Sequence, residues 1–424
     1  MNPTNNPLSP PPRSALLPPD QAVEPLFYRR LRDGLDGLDR QTLRRWLRPL
    51  PSTGRLVRLA GRELLNLAGN DYLGLAEHPH LKETAIRAIE QHGVGATASR
   101  LVAGHLDLHA QIESRFAAFK HAEAGLLLPT GYAANLAVLT ALAGPGDLIC
   151  QDKLNHASLL DAAQASGARV RTFPHRDYAK LERLLKKHAD RGVSTSGGGP
   201  LGQRFIVTDA VFSMDGNVAD LPALCALAER HDAVLVVDEA HGTGVLGGDG
   251  AGLASAQGVA DRVPITVSTA SKALGGLGGL VTGPRVVIDT LINRARPLIY
   301  STAVPPAQAA TIGAALDVIR DEPERRLWLA ELSKRLRTQL AAAGWAGLCG
   351  GDDLYPTPIV PLIVGSSEAA VALQKQLEHH HILAVAIRPP TVAPRSARVR
   401  LSLRADMTDA DLSLIVSAAG SPPR

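Results

Sequence analysis

The stretch Ala233-Val-Leu-Val-Val-Asp-Glu-Ala-His241 decides the fold, together with Ile265-Thr-Val-Ser-Thr-Ala-Ser-Lys272 further along the chain. The first begins with a continuous, largely β-branched apolar run, which is typical of a strand buried on both faces of a sheet. The second is another short apolar strand, and it ends in a Ser/Thr turn. From about residue 70, further short strands alternate with helical patterns. The predicted fold class is therefore α/β, with a mostly parallel sheet covered by helices.

The pattern changes on both sides of this region, so several units are predicted. They are a disordered proline-rich tail (residues 1–24), an N-terminal arm (25–69), a large domain (70–305) and a smaller C-terminal α+β domain (306–424).

Local patterns add detail to these units. The tail holds seven of the 30 prolines, and the arm begins with an arginine-rich helical pattern from Pro25 to about Arg48. The glycine- and serine-rich segment 192–202 is predicted to be a flexible surface loop. In the C-terminal unit, a long helix is predicted over Glu324–Ala343 and another over Glu368–His381.

Composition argues against several kinds of partner. The net charge is only +4, so the ten arginines between Arg29 and Arg62 are better explained as an exposed helix face than as a nucleic-acid site. Three scattered cysteines predict neither a zinc cluster nor a disulfide framework, and they fit a reducing cytoplasm. The triplet at 379–381 lies in a helical pattern, and no metal site is predicted there.

One uncharged segment, 124–146, is long enough to imitate a membrane span. Pro129 and Gly131 interrupt it early, which favours a short strand, a turn and a buried helix. The N-terminus lacks the charged and apolar regions of a secretory signal. The prediction is therefore a cytoplasmic protein without a membrane partner.

Reactive side chains follow the predicted strands of the large domain. Asp238, Thr269 and Lys272 lie just beyond strand ends, as does Ser213 in Val-Phe-Ser-Met-Asp-Gly. In open α/β sheets, ligands bind beyond the carboxyl ends of the strands. A lysine that forms an imine and a carboxylate that faces a pyridine nitrogen are the two groups that pyridoxal phosphate (PLP) chemistry most needs. These residues predict a PLP site, with His241 and Ser213 near the phenolic oxygen.

The phosphate and the ring need further contacts. Thr130-Gly131-Tyr132 opens a predicted buried helix, whose free amides and dipole favour an anion. Thr269 adds a hydroxyl, and His156 is a candidate to stack on the ring. Each of these signals is weak alone, because strand-to-helix turns and turn histidines are common.

Asp238-Glu-Ala-His241 also matches the metal-binding box of an ATP-driven helicase. That function requires a preceding Gly-x-x-x-x-Gly-Lys-Ser/Thr loop to hold phosphates. The dipeptide Gly-Lys does not occur in the sequence, which argues against a helicase. A PLP-fold protein that has lost catalysis is a third hypothesis, and the intact lysine argues against it.

Taken in order, the motifs resemble those of the α-oxoamine synthase family of fold-type I PLP enzymes. They are Asn70-Asp-Tyr-Leu-Gly, Gly131-Tyr-Ala-Ala-Asn, His156-Ala-Ser-Leu, Val211-Phe-Ser-Met-Asp-Gly, Asp238-Glu-Ala-His-Gly-Thr-Gly, Ser271-Lys272, Leu298-Ile-Tyr-Ser-Thr302 and Ala386-Ile-Arg-Pro-Pro-Thr-Val. The resemblance covers about residues 40–415. It implies a large domain with a seven-stranded, mostly parallel sheet and a smaller C-terminal domain.

The resemblance also implies roles for individual residues. Lys272 would bind the cofactor covalently, with Asp238 at the pyridine nitrogen and His156 stacked on the ring. The remaining cofactor contacts would come from Gly131, Tyr132, Ser213, His241 and Thr269, and from Tyr300, Ser301 and Thr302 of a second copy of the chain, which implies a homodimer. Substrate contacts would come from Arg44, Asn70, His156, Arg388 and Thr391, with Arg388 as the clamp for an amino acid carboxylate.

The later motifs look like those of the family member that condenses L-alanine with a pimeloyl thioester in biotin biosynthesis. The resemblance therefore implies these two substrates, with Lys272 also carrying the alanine proton. The acyl carrier, coenzyme A or an acyl carrier protein, stays open. Within the family, condensation of glycine with acetyl-CoA is the alternative.

Overall fold

A computed structural model describes residues 25–59, 61–189, 202–352 and 354–422. The predicted proline-rich tail lies outside the described residues, as does the predicted flexible loop except for its last residue, Gly202.

A seven-stranded sheet forms the centre of the large domain. Its strands, in spatial order, are β3 (Ala124–Leu128), β9 (Gly279–Gly283), β8 (Ile265–Thr269), β7 (Ala233–Asp238), β6 (Arg204–Asp209), β4 (Leu148–Asp152) and β5 (Arg169–Phe173). β9 runs antiparallel to both of its neighbours, and the pairings from β8 to β5 are parallel. The predicted fold class and the mostly parallel seven-stranded sheet are confirmed.

Helices cover both faces of this sheet. They are α2 (Pro79–His92), α3 (Asp107–Phe119), α4 (Gly131–Leu142), α5 (Ala157–Ala165), α6 (Tyr178–Ala189), α7 (Leu221–Arg230), α8 (Leu253–Ala256), α9 (Arg285–Arg294), α10 (Arg296–Ile299) and α11 (Pro306–Asp321). Successive side chains of a strand point to opposite faces. In β6, Ile206 packs in one core, whereas Phe205 and Val207 pack in the other. The continuous apolar runs in the sequence reflect these two cores.

The N-terminal arm differs from its prediction. Helix α1 (Leu26–Arg40) ends at Arg40 and not near Arg48. Thr42 takes a left-handed backbone conformation with φ of 56°, so the chain leaves the helix there although the arginine-rich pattern continues. Arg48 instead forms a two-point ion pair with Glu378, at 2.6 and 3.1 Å.

A hairpin with its turn at Gly61 follows α1 within this arm. Its strands are β1 (Leu56–Leu59) and β2 (Arg62–Asn66), and β11 (Ile382–Leu383) joins β2 in parallel. This small sheet ties the N-terminal arm to the C-terminal part of the chain.

The C-terminal part has an antiparallel sheet in the order β10, β13, β12. Its elements are α12 (Glu324–Leu340), β10 (Ile359–Gly365), α13 (Ser367–His379), β12 (Val385–Ile387), β13 (Ala397–Ser402) and α14 (Asp409–Ala419). Helix α12, predicted over Glu324–Ala343, buries a stripe of leucines at Leu329, Leu332, Leu336 and Leu340. Helix α13 ends at His379, so His380 and His381 follow the helix and do not lie within it.

The uncharged segment 124–146 forms β3, a turn and α4, in agreement with the prediction. In the described part of the chain, no helix combines the length and the apolar character needed to cross a bilayer. The domain boundaries stay a prediction. Helix α11, just beyond the predicted boundary at residue 305, packs extensively against α2 and α3.

Candidate active site

The predicted site residues of the large domain gather where parallel strands end. Asp238 is the last residue of β7, and Asp209 ends the neighbouring β6 directly beside it in register. Thr269 ends β8 on the other side, and Lys272 follows three residues later. Parallel strands of similar length bring their carboxyl ends to one edge, so the sheet itself collects these side chains.

The side chains of Lys272, His241 and Tyr72 form a continuous chain of polar contacts. Lys272 Nζ lies 2.9 Å from His241 Nε2, and His241 Nδ1 lies 2.7 Å from the Tyr72 hydroxyl. Tyr72 is completely buried and His241 is nearly so. The lysine amine is therefore held in place by a ring that is itself held from its other side.

Burial dominates the acid–base properties of this chain. It lowers the pKa of Lys272 to about 8, although the negative charge of Asp238 acts in the opposite direction. It also lowers the pKa of His241 well below its ordinary value, and the positive charges of Lys272 and Arg400 lower it further. Near neutral pH the histidine is uncharged, and the lysine loses its proton far more easily than an exposed lysine does.

Asp238 is held by two donors. Asn135 Nδ2 donates to its Oδ2 at 2.6 Å, and the Ala240 amide donates to its Oδ1 at 2.8 Å. Asn135 also donates to Ser158 Oγ at 2.8 Å, which links α4 to α5 beneath the site. These bonds fix the direction of a carboxylate that is only 5% exposed.

Asp209 is a second carboxyl at the same edge. It accepts a 2.7 Å hydrogen bond from the His156 amide. Burial and the neighbouring charge of Asp238 raise its pKa well above the usual range of a carboxyl group. The sheet register thus places Asp209 next to Asp238, and Asp209 has a strong tendency to keep its proton.

His156 caps α5 at the rim of the site. Its Nδ1 lies 2.8 Å from Ser158 Oγ and accepts a hydrogen bond from the Ser158 amide at 3.2 Å. Burial lowers the pKa of His156, and Asp238 acts in the opposite direction. The ring is thereby fixed from one edge.

The N-terminus of α4 lies against Thr269 and provides a place for an anion. Thr130 caps the helix by accepting from the Ala133 amide at 3.0 Å. A Cβ atom on Gly131 would lie only 3.2 Å from Thr269 Cβ, so the absence of a side chain keeps the helix amides accessible. Ser271 Oγ lies 2.9 Å from Thr269 Oγ1. Amides, hydroxyls and the helix dipole together suit a phosphate.

Ser213 and Asn70 join this group through Arg400, which the sequence reasoning missed. Arg400 donates to the Ser213 carbonyl at 3.0 Å and to Asn70 Oδ1 at 2.7 Å. Arg400 belongs to β13 of the C-terminal part, so the small domain closes one side of the site. Tyr72, Asn135 and Asp209 were also missed. The only available signal was that Tyr72 and Asn135 lie within the quoted motifs.

The predicted substrate residues Arg388, Arg44 and Thr391 form a second group at the end of α1. Arg388 donates to the Thr42 carbonyl, and the Thr391 amide donates to the Arg388 carbonyl at 3.1 Å. Arg44 pairs with Asp39 at 2.6 Å. Arg388 follows β12, which pairs with β13, so this group lies one strand away from Arg400.

Tyr300, Ser301 and Thr302 lie at the surface of the chain. Tyr300 is 71% exposed, and Arg296 stacks over its ring at 4.8 Å. Thr302 forms a β-bridge with Ser99. Tyr132 is 46% exposed, and its hydroxyl donates to Asp161. In the described part of one chain, no hydrogen bond joins these residues to Lys272, whose amine lies against His241.

Comparison with known proteins identifies the family. Residues 62–418 match the family model for class I and II aminotransferases. An 8-amino-7-oxononanoate synthase from Geotalea daltonii is 46% identical over 362 residues, which cover 85% of this chain and 88% of that protein. The chain belongs to the 8-amino-7-oxononanoate synthase family. It is a PLP-dependent acyltransferase, as predicted.

Solved structures agree with this assignment. A serine palmitoyltransferase from Sphingomonas wittichii superposes with a TM-score of 0.83 at 26% identity, covering 94% of this chain and 97% of that one. An 8-amino-7-oxononanoate synthase from Francisella tularensis gives 0.69 at 26% identity, covering 84% and 96%. The predicted family, fold class and cofactor are confirmed, and the individual site residues stay predictions.

Proposed function

We propose that this chain condenses L-alanine with a pimeloyl thioester, releasing carbon dioxide and the thiol and giving 8-amino-7-oxononanoate for biotin biosynthesis. The observation that carries the proposal is the 2.9 Å contact between Lys272 Nζ and His241 Nε2 beside Asp238, in a chain whose relatives are named for this product. PLP, when bound, supplies the electron sink for the alanine carbon.

Lys272 has two proposed tasks. Its amine would hold the cofactor, and the same amine, when free, would take the proton from the alanine Cα. A general base works best when its pKa lies near the operating pH. Burial lowers the pKa of Lys272 to about 8, which supports this second task.

The neighbouring groups hold the ring and tune its charge. Asp238, whose carboxylate is oriented by Asn135 and the Ala240 amide, would bind the pyridine nitrogen, and its negative charge would keep that nitrogen protonated. His241 and Ser213 face the phenolic oxygen. His156 covers the ring, and its orientation is fixed by Ser158.

The phosphate is proposed to bind at the start of α4, with Gly131, Tyr132 and Thr269 as its contacts. Tyr300, Ser301 and Thr302 are proposed to reach the phosphate of a second copy of the chain. Their surface position supports this role, because an exposed tyrosine next to a bridged turn is available to a neighbour. The proposed active unit is therefore a homodimer with shared sites.

The substrates are proposed to bind on the side of the small domain. Arg388 is the clamp for the alanine carboxylate, and the Thr42 carbonyl orients its guanidinium. Arg44, Asn70, His156 and Thr391 are the further proposed substrate contacts. The acyl group arrives on coenzyme A or on an acyl carrier protein.

A substrate matrix tests the proposal. The purified protein is assayed with alanine and glycine, each combined with pimeloyl and acetyl thioesters on both carriers, and the Lys272→Ala variant gives the background rate. Fastest turnover with alanine and a pimeloyl thioester is expected. A preference for glycine with acetyl-CoA would replace the proposal with 2-amino-3-ketobutyrate synthesis, and no turnover with any pair would favour a scaffold that has lost catalysis.

A further inference from the structure

The phenol of Tyr72 lies between two hydrogen-bonding partners. Its hydroxyl oxygen is 2.7 Å from His241 Nδ1 and 3.2 Å from Asn70 Oδ1. Burial raises the pKa of Tyr72 to about 12, so the phenol keeps its single proton at any working pH. That proton can be given to only one of the two neighbours.

The geometry favours His241 as the acceptor. Asn70 Oδ1 already accepts a 2.7 Å bond from the charged guanidinium of Arg400. The contact from Tyr72 to His241 is also shorter by half an ångström. Shorter contacts in this range correspond to well-formed O–H donation.

This hydrogen bond determines which ring nitrogen of His241 carries the proton. His241 is neutral because burial lowers its pKa well below its ordinary value, and a neutral imidazole carries one N–H. If Nδ1 accepts from Tyr72, the N–H must be on Nε2. That nitrogen faces Lys272 Nζ at 2.9 Å, so its N–H points at the lone pair of the amine when Lys272 is neutral.

We propose that Tyr72 is a positioning residue that fixes the Nε2–H tautomer of His241. It thereby presents a donor to Lys272 and, resting on the function proposed above, to the phenolic oxygen of the bound cofactor. Without the phenol, the ring proton is free to move to Nδ1, and Nε2 can then accept from a charged lysine. Such a ring would stabilise the protonated amine and no longer the neutral one.

The test measures the titration of Lys272 in the full chain after the cofactor has been removed by dialysis. Acetic anhydride labels neutral amines, and mass spectrometry of the Lys272 peptide across pH gives its apparent pKa. Tyr72→Phe is compared with Tyr178→Phe, which removes a half-buried hydroxyl that accepts a hydrogen bond from the Asp220 amide at 2.9 Å. The other charged or titratable groups facing Lys272 are the same in both variants: Asp209, Asp238, Arg400 and His156.

The wild-type midpoint is expected at about 8. In Tyr72→Phe it is expected to rise by about one pH unit, the size of one hydrogen bond to a charged group. Tyr178→Phe is expected to leave it unchanged. An unchanged midpoint in Tyr72→Phe, or an equal rise in both variants, would overturn the proposal.

Nitrogen-15 spectra of the histidine rings give a second readout that is independent of catalysis. The wild-type His241 signal is expected to be that of an Nε2–H ring, and an Nδ1–H ring would overturn the proposal. If Tyr72→Phe does not fold, Asn70→Ala serves instead. Removing the competing acceptor is expected to leave the tautomer as it is, whereas a change of tautomer would show that Tyr72 donates to Asn70.

Discussion

Replacing Gly131 with alanine tests the proposed phosphate site with a single methyl group. Gly131 opens α4, and its Cα faces Thr269. The added Cβ would lie 3.2 Å from Thr269 Cβ and 3.3 Å from Thr269 Oγ1, so the threonine would have to move by a few tenths of an ångström. Alanine has a higher helix propensity than glycine, so the fold is expected to survive the change.

The expected loss falls on the cofactor. Displacing Thr269 and crowding the helix amides removes about one hydrogen bond to a charged phosphate, which is worth roughly 1.5–3 kcal/mol. Since 1.4 kcal/mol corresponds to a tenfold change in affinity, the Kd for PLP is expected to rise by about one to two orders of magnitude.

Titration of PLP into the cofactor-free chain, followed by its absorbance, measures this Kd. Gly144→Ala is the matched control, because it adds the same methyl group where no atom lies within 4 Å. Its affinity is expected to equal that of the wild type. Equal affinities for Gly131→Ala and Gly144→Ala would refute the assignment of the phosphate to the start of α4.

Two further substitutions address other parts of the site. Arg388→Ala is expected to raise the KM for alanine about tenfold or more, because a charge-assisted hydrogen bond to the alanine carboxylate is lost. The KM for the thioester is expected to change little. If steady-state kinetics showed equal increases in both KM values, Arg388 would not be the carboxylate clamp. Asp238→Asn is expected to lower turnover by roughly two orders of magnitude while PLP still binds, because a charge that stabilises the reacting state is lost. It is also expected to lower the pKa of Lys272, which the charge of Asp238 raises, and an unchanged labelling midpoint would contradict this charge interaction.

The sequence was a good guide to the large domain because its strands are buried on both faces. The run Ala233–Val237 has no polar interruption, and the two cores packed against β6 and β7 explain why. The carboxylate at the end of β7 and the turn after β8 were predictable for the same reason. An apolar run that stops at Asp or Ser/Thr marks the edge of a parallel sheet.

The parts that the prediction missed depend on contacts between distant segments. The arginine pattern of α1 continues past Arg40, and only the left-handed Thr42 ends the helix. In β13, the alternation of Arg398 and Arg400 with apolar residues is the pattern of a half-exposed strand. The arginines instead point at the large domain, where Arg398 donates a hydrogen bond to the Met214 carbonyl and Arg400 donates one to Asn70. Local periodicity carries no information about a surface that another domain covers.

The central claim is that Lys272 carries the cofactor, and reduction of the holoenzyme tests it most directly. Borohydride fixes PLP to the lysine that holds it, and peptide mass spectrometry then locates the label. Lys120 is the internal control, because it is also buried with a lowered pKa, but its amine donates to the Ala251 carbonyl. One phosphopyridoxyl group per chain is expected, on Lys272 and not on Lys120. A label on Lys120 or on any other lysine would contradict it.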